Sequence, residues 1–555
     1  MFFSKTSQPK TTTTSPPPPL PSWAEAVRTS LAAELGSDGP RAVDDVLYFP
    51  GSPEFADSET GFHTAQANEV RSAAVARPTS SAEVAALVKA LRSSLPPSTP
   101  IAIRGGGHAT YAGAAKAAGG VTIDMRGVRG IEILAGGTCV RIAAGHQWRD
   151  VYAALEAHDP PITTAGGRAA QVGVVGFLLG GGLSFFSHQR GFGADLVTAW
   201  EVVLASGRIV RATASYSSGK DGITDSNAGA GAEHDDNAED LWDALRGGST
   251  NFGIVTAVEM ECFPHPEHFR CAYMFYLTPA RQATLEALVK MSRRPFDATL
   301  KNGQSEPVVD HLIWSITHVP YVPFKVIAVS ASSTGPAAQD TLAEFSAPWT
   351  RIPGTPVPRE VTHGAYAKEV GDLACKDGSR NSYKSISVKL DLALLNTIID
   401  MWYDLVRATR HKAGFMITLA FLPVPSCVIE ASCARRRGGT QYRSNIGATT
   451  SNFFGLRPED GPLVIVETCH NWHEAADDPF AFEMIDAFLR DVDRVASERG
   501  LGSRWVFPNY AQPDEKVIQA YGDDRLTQLK RVASRWDPDG FFQKRVVGGF
   551  KIEDP

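Results

Sequence analysis

The chain lacks a basic surplus. Its 555 residues carry 54 Lys and Arg against 61 Asp and Glu, a net charge of −7. A general nucleic-acid binder needs a basic surface, so nucleic acid is excluded as a partner. The one compact basic run, Arg435-Arg436-Arg437, reads as a solvated loop. No apolar run approaches the ~20 residues of a membrane span, and no membrane partner is expected. The N-terminus offers no apolar segment of signal-peptide length. Thr and Pro dominate residues 1–22, which read as a disordered tail, and the expected location is intracellular and cytosolic. Cysteine is sparse. The seven are odd in number and form no C-x-x-C pair, which fits reduced thiols better than a disulfide framework. Cys469, His470 and His473 lie close together, but no further ligand cluster joins them and no metal is expected. A dinucleotide fingerprint is missing as well. The glycines of residues 166–182 do not keep the G-x-G-x-x-G spacing within a strand–turn–helix unit, which argues against a nicotinamide site.

What remains is a soluble composition, 43% apolar and 21% charged, in a chain long enough for several domains. Its organising stretch is IAIRGGGHATYAGAAKAAGGVTIDM, residues 101–125. An apolar β-run delivers Arg104, then Gly105, Gly106 and Gly107, then His108, with Tyr111 just beyond. Serial glycines expose backbone N–H groups at close range, so this turn can wrap a phosphate or a flat ring. His108 is the best nucleophile on the loop. A second bare-backbone stretch, GGRAAQVGVVGFLLGGG, contains Gly173, Gly176 and Gly180.

Along the chain, Ser80 and Glu83 form a capping box for a helix with Val84, Leu87, Val88 and Leu91 on one side. Residues 131–134 and 139–143 read as a hairpin around Gly136-Gly137. Residues 216–237 read as a polar surface loop. After Pro264, strands at 272–277, 308–314, 326–330, 414–422 and 463–466 alternate with helices at 280–291, 337–345 and 480–499. The fold class is α+β, with a second domain of sheet flanked by helices. In LVIVETCHNW, residues 463–472, Glu467, Cys469 and Asn471 share one face by period two. A carboxylate in an apolar strand is costly unless it is exposed, paired or protonated. Glu467 is therefore either an edge-strand residue or a catalytic base.

Arg104-Gly-Gly-Gly-His108, Gly173-x-x-Gly176-x-x-x-Gly180, Gly191-x-Gly193-Ala-Asp195, the segment at 241–256, Asn509-Tyr510 and the segment at 536–542 occur in a fixed order. In that order they resemble the berberine-bridge-enzyme-like flavoproteins of the p-cresol methylhydroxylase (PCMH)/vanillyl-alcohol oxidase fold, in a fungal form. The resemblance implies an FAD-binding PCMH-type domain over 70–265 and a substrate domain of antiparallel sheet over 266–504. It also implies a segment at 505–555 that returns to the FAD domain. It implies a covalent flavin bond through His108 alone, because Ala169 stands where many relatives carry a second, cysteine tether. It implies that Gly105, Gly106 and Gly107 cradle the pyrophosphate, and that Ala170, Gly173, Gly180 and Ile254 line the ring and adenosine regions. By the same resemblance Val172 controls oxygen access, and Asn509 and Tyr510 reach the flavin from the other side. Glu467 matches the position of the base, with Tyr111 and His470 as alternatives. The implied activity is a two-electron oxidation of a small organic substrate, a secondary-metabolite intermediate, with O2 reduced to H2O2. The alternative is a flavin-scaffolded cyclisation with little net redox change.

Overall fold

The computed structural model describes residues 19–36, 41–213, 233–234, 238–293, 310–320, 322–334, 342–345, 350–374, 378–409, 411–412, 414–436 and 451–553. Residues 1–18 of the tail expected over 1–22, residues 216–232 and 235–237 of the loop expected over 216–237, and most of the helix expected over 337–345 lie outside them. The described residues form an α+β arrangement of two sheet-bearing units.

Leu47–Tyr48 (β1), Ala74–Ala76 (β2), Ile101–Arg104 (β3) and Val121–Asp124 (β4) form a sheet in the order β1-β2-β4-β3. β2, β4 and β3 are parallel, so their connection needs a crossover. The Ser81–Ser94 helix provides it, capped by Ser80, whose Oγ accepts from the Glu83 N–H at 3.2 Å. Its stripe of Val84, Leu87, Val88 and Leu91 is buried. The glycine string leaves the carboxyl end of β3, where open α/β sheets take their ligands.

Ile131–Leu134 (β5) and Cys139–Ala143 (β6) make the expected hairpin. Ile162–Thr163 (β7) follows, then Val197–Val203 (β8), Ile209–Thr213 (β9), Glu233–His234 (β10), Ile254–Glu261 (β11) and Phe263–Pro264 (β12). β7 pairs with β12, and the rest form a sheet in the order β10-β9-β8-β11-β6-β5. The C-terminal segment returns to this unit. The Ile101 N–H donates to the Arg545 carbonyl (2.8 Å) and the Val547 N–H to the Ile101 carbonyl (2.7 Å).

The second sheet unit comprises Phe269–Leu277 (β13), Asp310–His318 (β14), Lys325–Thr334 (β15), Arg359–Glu360 (β16), Arg380–Lys389 (β17), Met416–Val424 (β18) and Leu463–Trp472 (β19). Their order is β16-β13-β15-β14-β18-β19-β17, every neighbour antiparallel. One face carries Trp314, Leu419 and Val466 into a core with the helices Arg281–Ser292, Leu392–Ala408 and Asp478–Glu498. The other face sends Ala420, Leu422 and Ile465 into a core shared with Trp148 and Phe177 of the first unit. The sheet thus lies over the glycine-rich turns. No helix among the described residues is long and apolar enough to cross a membrane.

A buried ionic cluster ties the C-terminal segment down. Arg246 is fully buried; it bonds Asp195 (3.3 Å) and Asp243, and Arg525 of the Asp523–Trp536 helix bonds Asp243 as well. Removing Arg246 leaves both carboxylates short of a partner in a dry site. Arg246→Met should therefore lower stability by about 3–5 kcal/mol, read as a fall in the urea midpoint.

Candidate active site

The two glycine-rich turns touch. A Cβ built on Gly106 would lie 2.6 Å from the Gly173 nitrogen, and one on Gly173 would lie 2.5 Å from the Gly106 nitrogen. Only glycine at both positions permits this approach. Gly105 and Gly176 are different: a Cβ on either meets nothing within 4 Å. Among the described residues, the N–H groups of Gly105, Gly106 and Gly107 donate to no protein acceptor. Three consecutive N–H groups without a protein acceptor, the first of them beside open space, form a nest for an anionic group. That donor set fits a pyrophosphate, and FAD suits the cradle.

Arg104 follows a different course from the glycines. Its guanidinium is buried and donates to the carbonyls of Ser58 (2.6 Å), Thr60 (2.8 Å) and Gly61 (3.2 Å), lying over the Phe62 ring at 3.9 Å. Burial pushes its pKa down to about 10. Arg104 thereby holds the segment that ends in His63. The His63 N–H donates to the Gly107 carbonyl (2.9 Å), and its ring stacks on His108 with centroids 4.1 Å apart and planes 13° apart. Tyr383 of β17 approaches the same ring at 6.0 Å. His108 therefore sits at the seam between the two units.

The sheet contributes Glu467. β19 runs between β18 and β17, and Glu467 pairs with Ala420 and Ser385. The edge-strand alternative is thus corrected: β17 is the edge, and Glu467 is only 7% exposed. Burial raises its pKa to about 7, opposed by the charge of Arg168. The neighbouring Ser385 Oγ is buried with no hydrogen-bond partner among the described residues.

The other two base candidates are placed elsewhere. His470 is three residues on and has the parity of Val466 and Trp472, so it points into the helix-covered layer, away from Glu467. Burial lowers its pKa to about 3. Tyr111 accepts from the Gly549 N–H through its Oη (3.0 Å), and burial raises its pKa to about 12. It is a clamp on the C-terminal turn, neutral near pH 7.

Asn509 and Tyr510 do meet the second glycine stretch. Asn509 Nδ2 donates to the Phe177 carbonyl and its Oδ1 accepts from the Gly182 N–H, both at 3.1 Å. A Cβ on Gly180 would meet the Asn509 amide at 2.5 Å. Tyr510 Oη accepts from Arg168 Nη2 at 2.6 Å. Val172 is half-buried, and its carbonyl accepts from the Trp148 N–H. The Ala170 N–H donates to Ala367 of the second unit (3.1 Å), with Ala169 one residue before it. Ile254 is buried in the core beneath the small parallel sheet. Sequence reasoning passed over Arg168 and His63. Arg168 left one signal, a lone charge among glycine and alanine. His63 left none.

Comparison with known proteins agrees with this geometry. Residues 72–213 match the model of an FAD binding domain. The chain is 28% identical over 534 residues to the FAD-dependent monooxygenase tpcD of Cochliobolus heterostrophus, covering 94% of this chain and 92% of that one. It is 27% identical to the FAD-dependent monooxygenase FUP4 of Fusarium proliferatum, covering 88% and 86%. Among solved structures, 6-hydroxy-D-nicotine oxidase from Arthrobacter nicotinovorans superposes with a TM-score of 0.66 at 18% identity, over 91% of this chain and 97% of that one. The Physcomitrella patens BBE-like 1 protein gives 0.65 at 18%, over 95% and 100%. The class so defined is that of FAD-linked oxidoreductases with a PCMH-type cofactor domain, and the chain is an enzyme of that class. Within that fold it is similar to the BBE-like 1 protein, and the relatives it matches along most of its length are fungal FAD-dependent monooxygenases.

Proposed function

We propose that the enzyme oxidises a small organic substrate by two electrons, with Glu467 taking the proton and O2 as the final acceptor. The observation that carries this reading is Glu467. It is a buried carboxyl on the sheet face turned to the glycine cradle, with a pKa near the operating pH of a general base. A bound FAD would supply the two-electron acceptor there, with O2 as the terminal oxidant and H2O2 as its product. The substrate loses one hydride and one proton, and Glu467 accepts the proton from an O–H, N–H or C–H. Gly105, Gly106 and Gly107 hold the pyrophosphate through their free N–H groups. His108, stacked on His63, would be the residue that tethers the flavin, and Val172 would line the path of oxygen. Tyr510 and Asn509 fix the second glycine stretch against the cofactor.

Acid precipitation of the purified protein tests the tether: the pellet should stay yellow and fluorescent, and His108→Ala should release the colour to the supernatant. Product mass tests the reaction. Loss of two hydrogens with one H2O2 per turnover supports the oxidase. The relatives' names favour a second reading, monooxygenation, which would add one oxygen atom. An unchanged mass would mean cyclisation.

A further inference from the structure

A cavity is lined by Arg168, Ser184, Ser187, His188, His311 and Ser292 among others, with no carboxylate in its wall. Arg168 is 8% exposed. Among the described residues its guanidinium has no carboxylate within salt-bridge distance, and its one hydrogen bond goes to a neutral oxygen, Tyr510 Oη. The carboxyl that feels its charge, Glu467, has its pKa raised to about 7 by burial, so on the acid side of neutrality the buried guanidinium lacks an ionised counter-ion, which costs several kcal/mol. His311 is 6% exposed, on β14, and among the described residues its Nε2 has no hydrogen-bond partner. Its ring sits edge-on to Phe185 at 5.0 Å, with the parity that faces the first unit. We infer that Arg168, His188 and His311 form a docking site for an acidic oxygen of the substrate, so that this enzyme's substrates are organic acids: carboxylic acids or acidic phenols and enols.

The chemistry of the wall fits. Burial holds both histidines neutral, with His311 pushed further down by Arg168 and His188. Each imidazole then offers one N–H, and Arg168 offers a fixed charge with a planar fork suited to a carboxylate. The charge of Arg168 also acts on Glu467. One guanidinium thus joins the site of proton removal to the site that holds the acid, and it sets how far the reacting atom stands from the anchoring oxygen.

The inference rests on the proposed active site only in calling the ligand a substrate, and the two readings fail separately because the test needs no turnover. Holoenzyme is titrated at about pH 6, where benzoate is ionised and Glu467 is largely protonated, with benzoate, with benzamide and with sodium chloride. Flavin absorbance and tryptophan fluorescence report binding. Benzoate should bind at least about tenfold more tightly than its neutral isostere. Arg168→Met should remove that preference while leaving benzamide affinity unchanged. His311→Leu, which keeps the charge, should weaken benzoate alone by a smaller factor and serves if Arg168→Met fails to retain flavin. Equal binding of benzoate and benzamide would overturn the inference, as would benzoate affinity indifferent to both substitutions. Chloride alone giving the benzoate response would also overturn it, by marking an inorganic anion site. Glu467→Gln that stops turnover but keeps benzoate binding would leave the docking site standing.

Discussion

Glu467→Gln will lower kcat/KM by about 10²–10⁴-fold and abolish the rise of activity with pH. The size follows from what the substitution removes. Glutamine keeps the shape and hydrogen-bonding span of the side chain but cannot accept a proton. The pH dependence follows from burial. Glu467 lies on an interior strand, between Ala420 and Ser385, and loses hydration that only Arg168 partly replaces. Its pKa rises to about 7, so near neutrality the acid and the carboxylate coexist. A base works only when ionised, so activity should climb as pH rises through about 7 and level off above it. Arg168 favours the ionised form. Arg168→Met should therefore move the climb to higher pH, an effect a merely structural role for Arg168 would not produce. A Glu467→Gln enzyme with wild-type kcat/KM and an unchanged profile would remove Glu467 from the chemistry.

What could be read from the chain and what could not divide along physical lines. Glycine strings are legible because bare backbone is itself the chemistry, and both strings lie where an anionic cofactor can enter. The face shared by Glu467, Cys469 and Asn471 is legible because strand parity is local. Whether β19 is an edge strand is not. That depends on β17, which pairs with it from some 80 residues away and was not anticipated. His470 illustrates the cost of ignoring parity: an odd step along the strand from Glu467 sends it through the sheet to the helix side. The Leu392–Ala408 helix was passed over although Leu394, Leu395, Ile398, Ile399, Trp402 and Val406 are all buried at helical spacing. There the signal was present and unused. His63 is the opposite case. Its place against His108 depends on Arg104 capturing the carbonyls of Ser58, Thr60 and Gly61, a tertiary event that no local pattern announces.

Gly173→Ala and Gly105→Val should both yield colourless protein, for opposite reasons. At Gly173 the new methyl would stand 2.5 Å from the Gly106 nitrogen and 2.8 Å from its Cα. Both are backbone atoms with no flexible end to move aside. The two turns must separate, and overpacking of this kind costs about 1–3 kcal/mol or more. Gly173→Ala should therefore lower the urea midpoint of the protein itself as well as its flavin content. At Gly105 an added Cβ meets nothing within 4 Å and needs no left-handed backbone. Gly105→Val should leave the urea midpoint of the flavin-free protein where it was and still abolish flavin retention, because its methyl groups occupy the space the phosphates need. The pair separates a site damaged by unfolding from a site blocked by bulk. Full flavin retention by Gly105→Val would mean that the cofactor's phosphates do not lie on this turn, and the free N–H groups of Gly105, Gly106 and Gly107 would then face water.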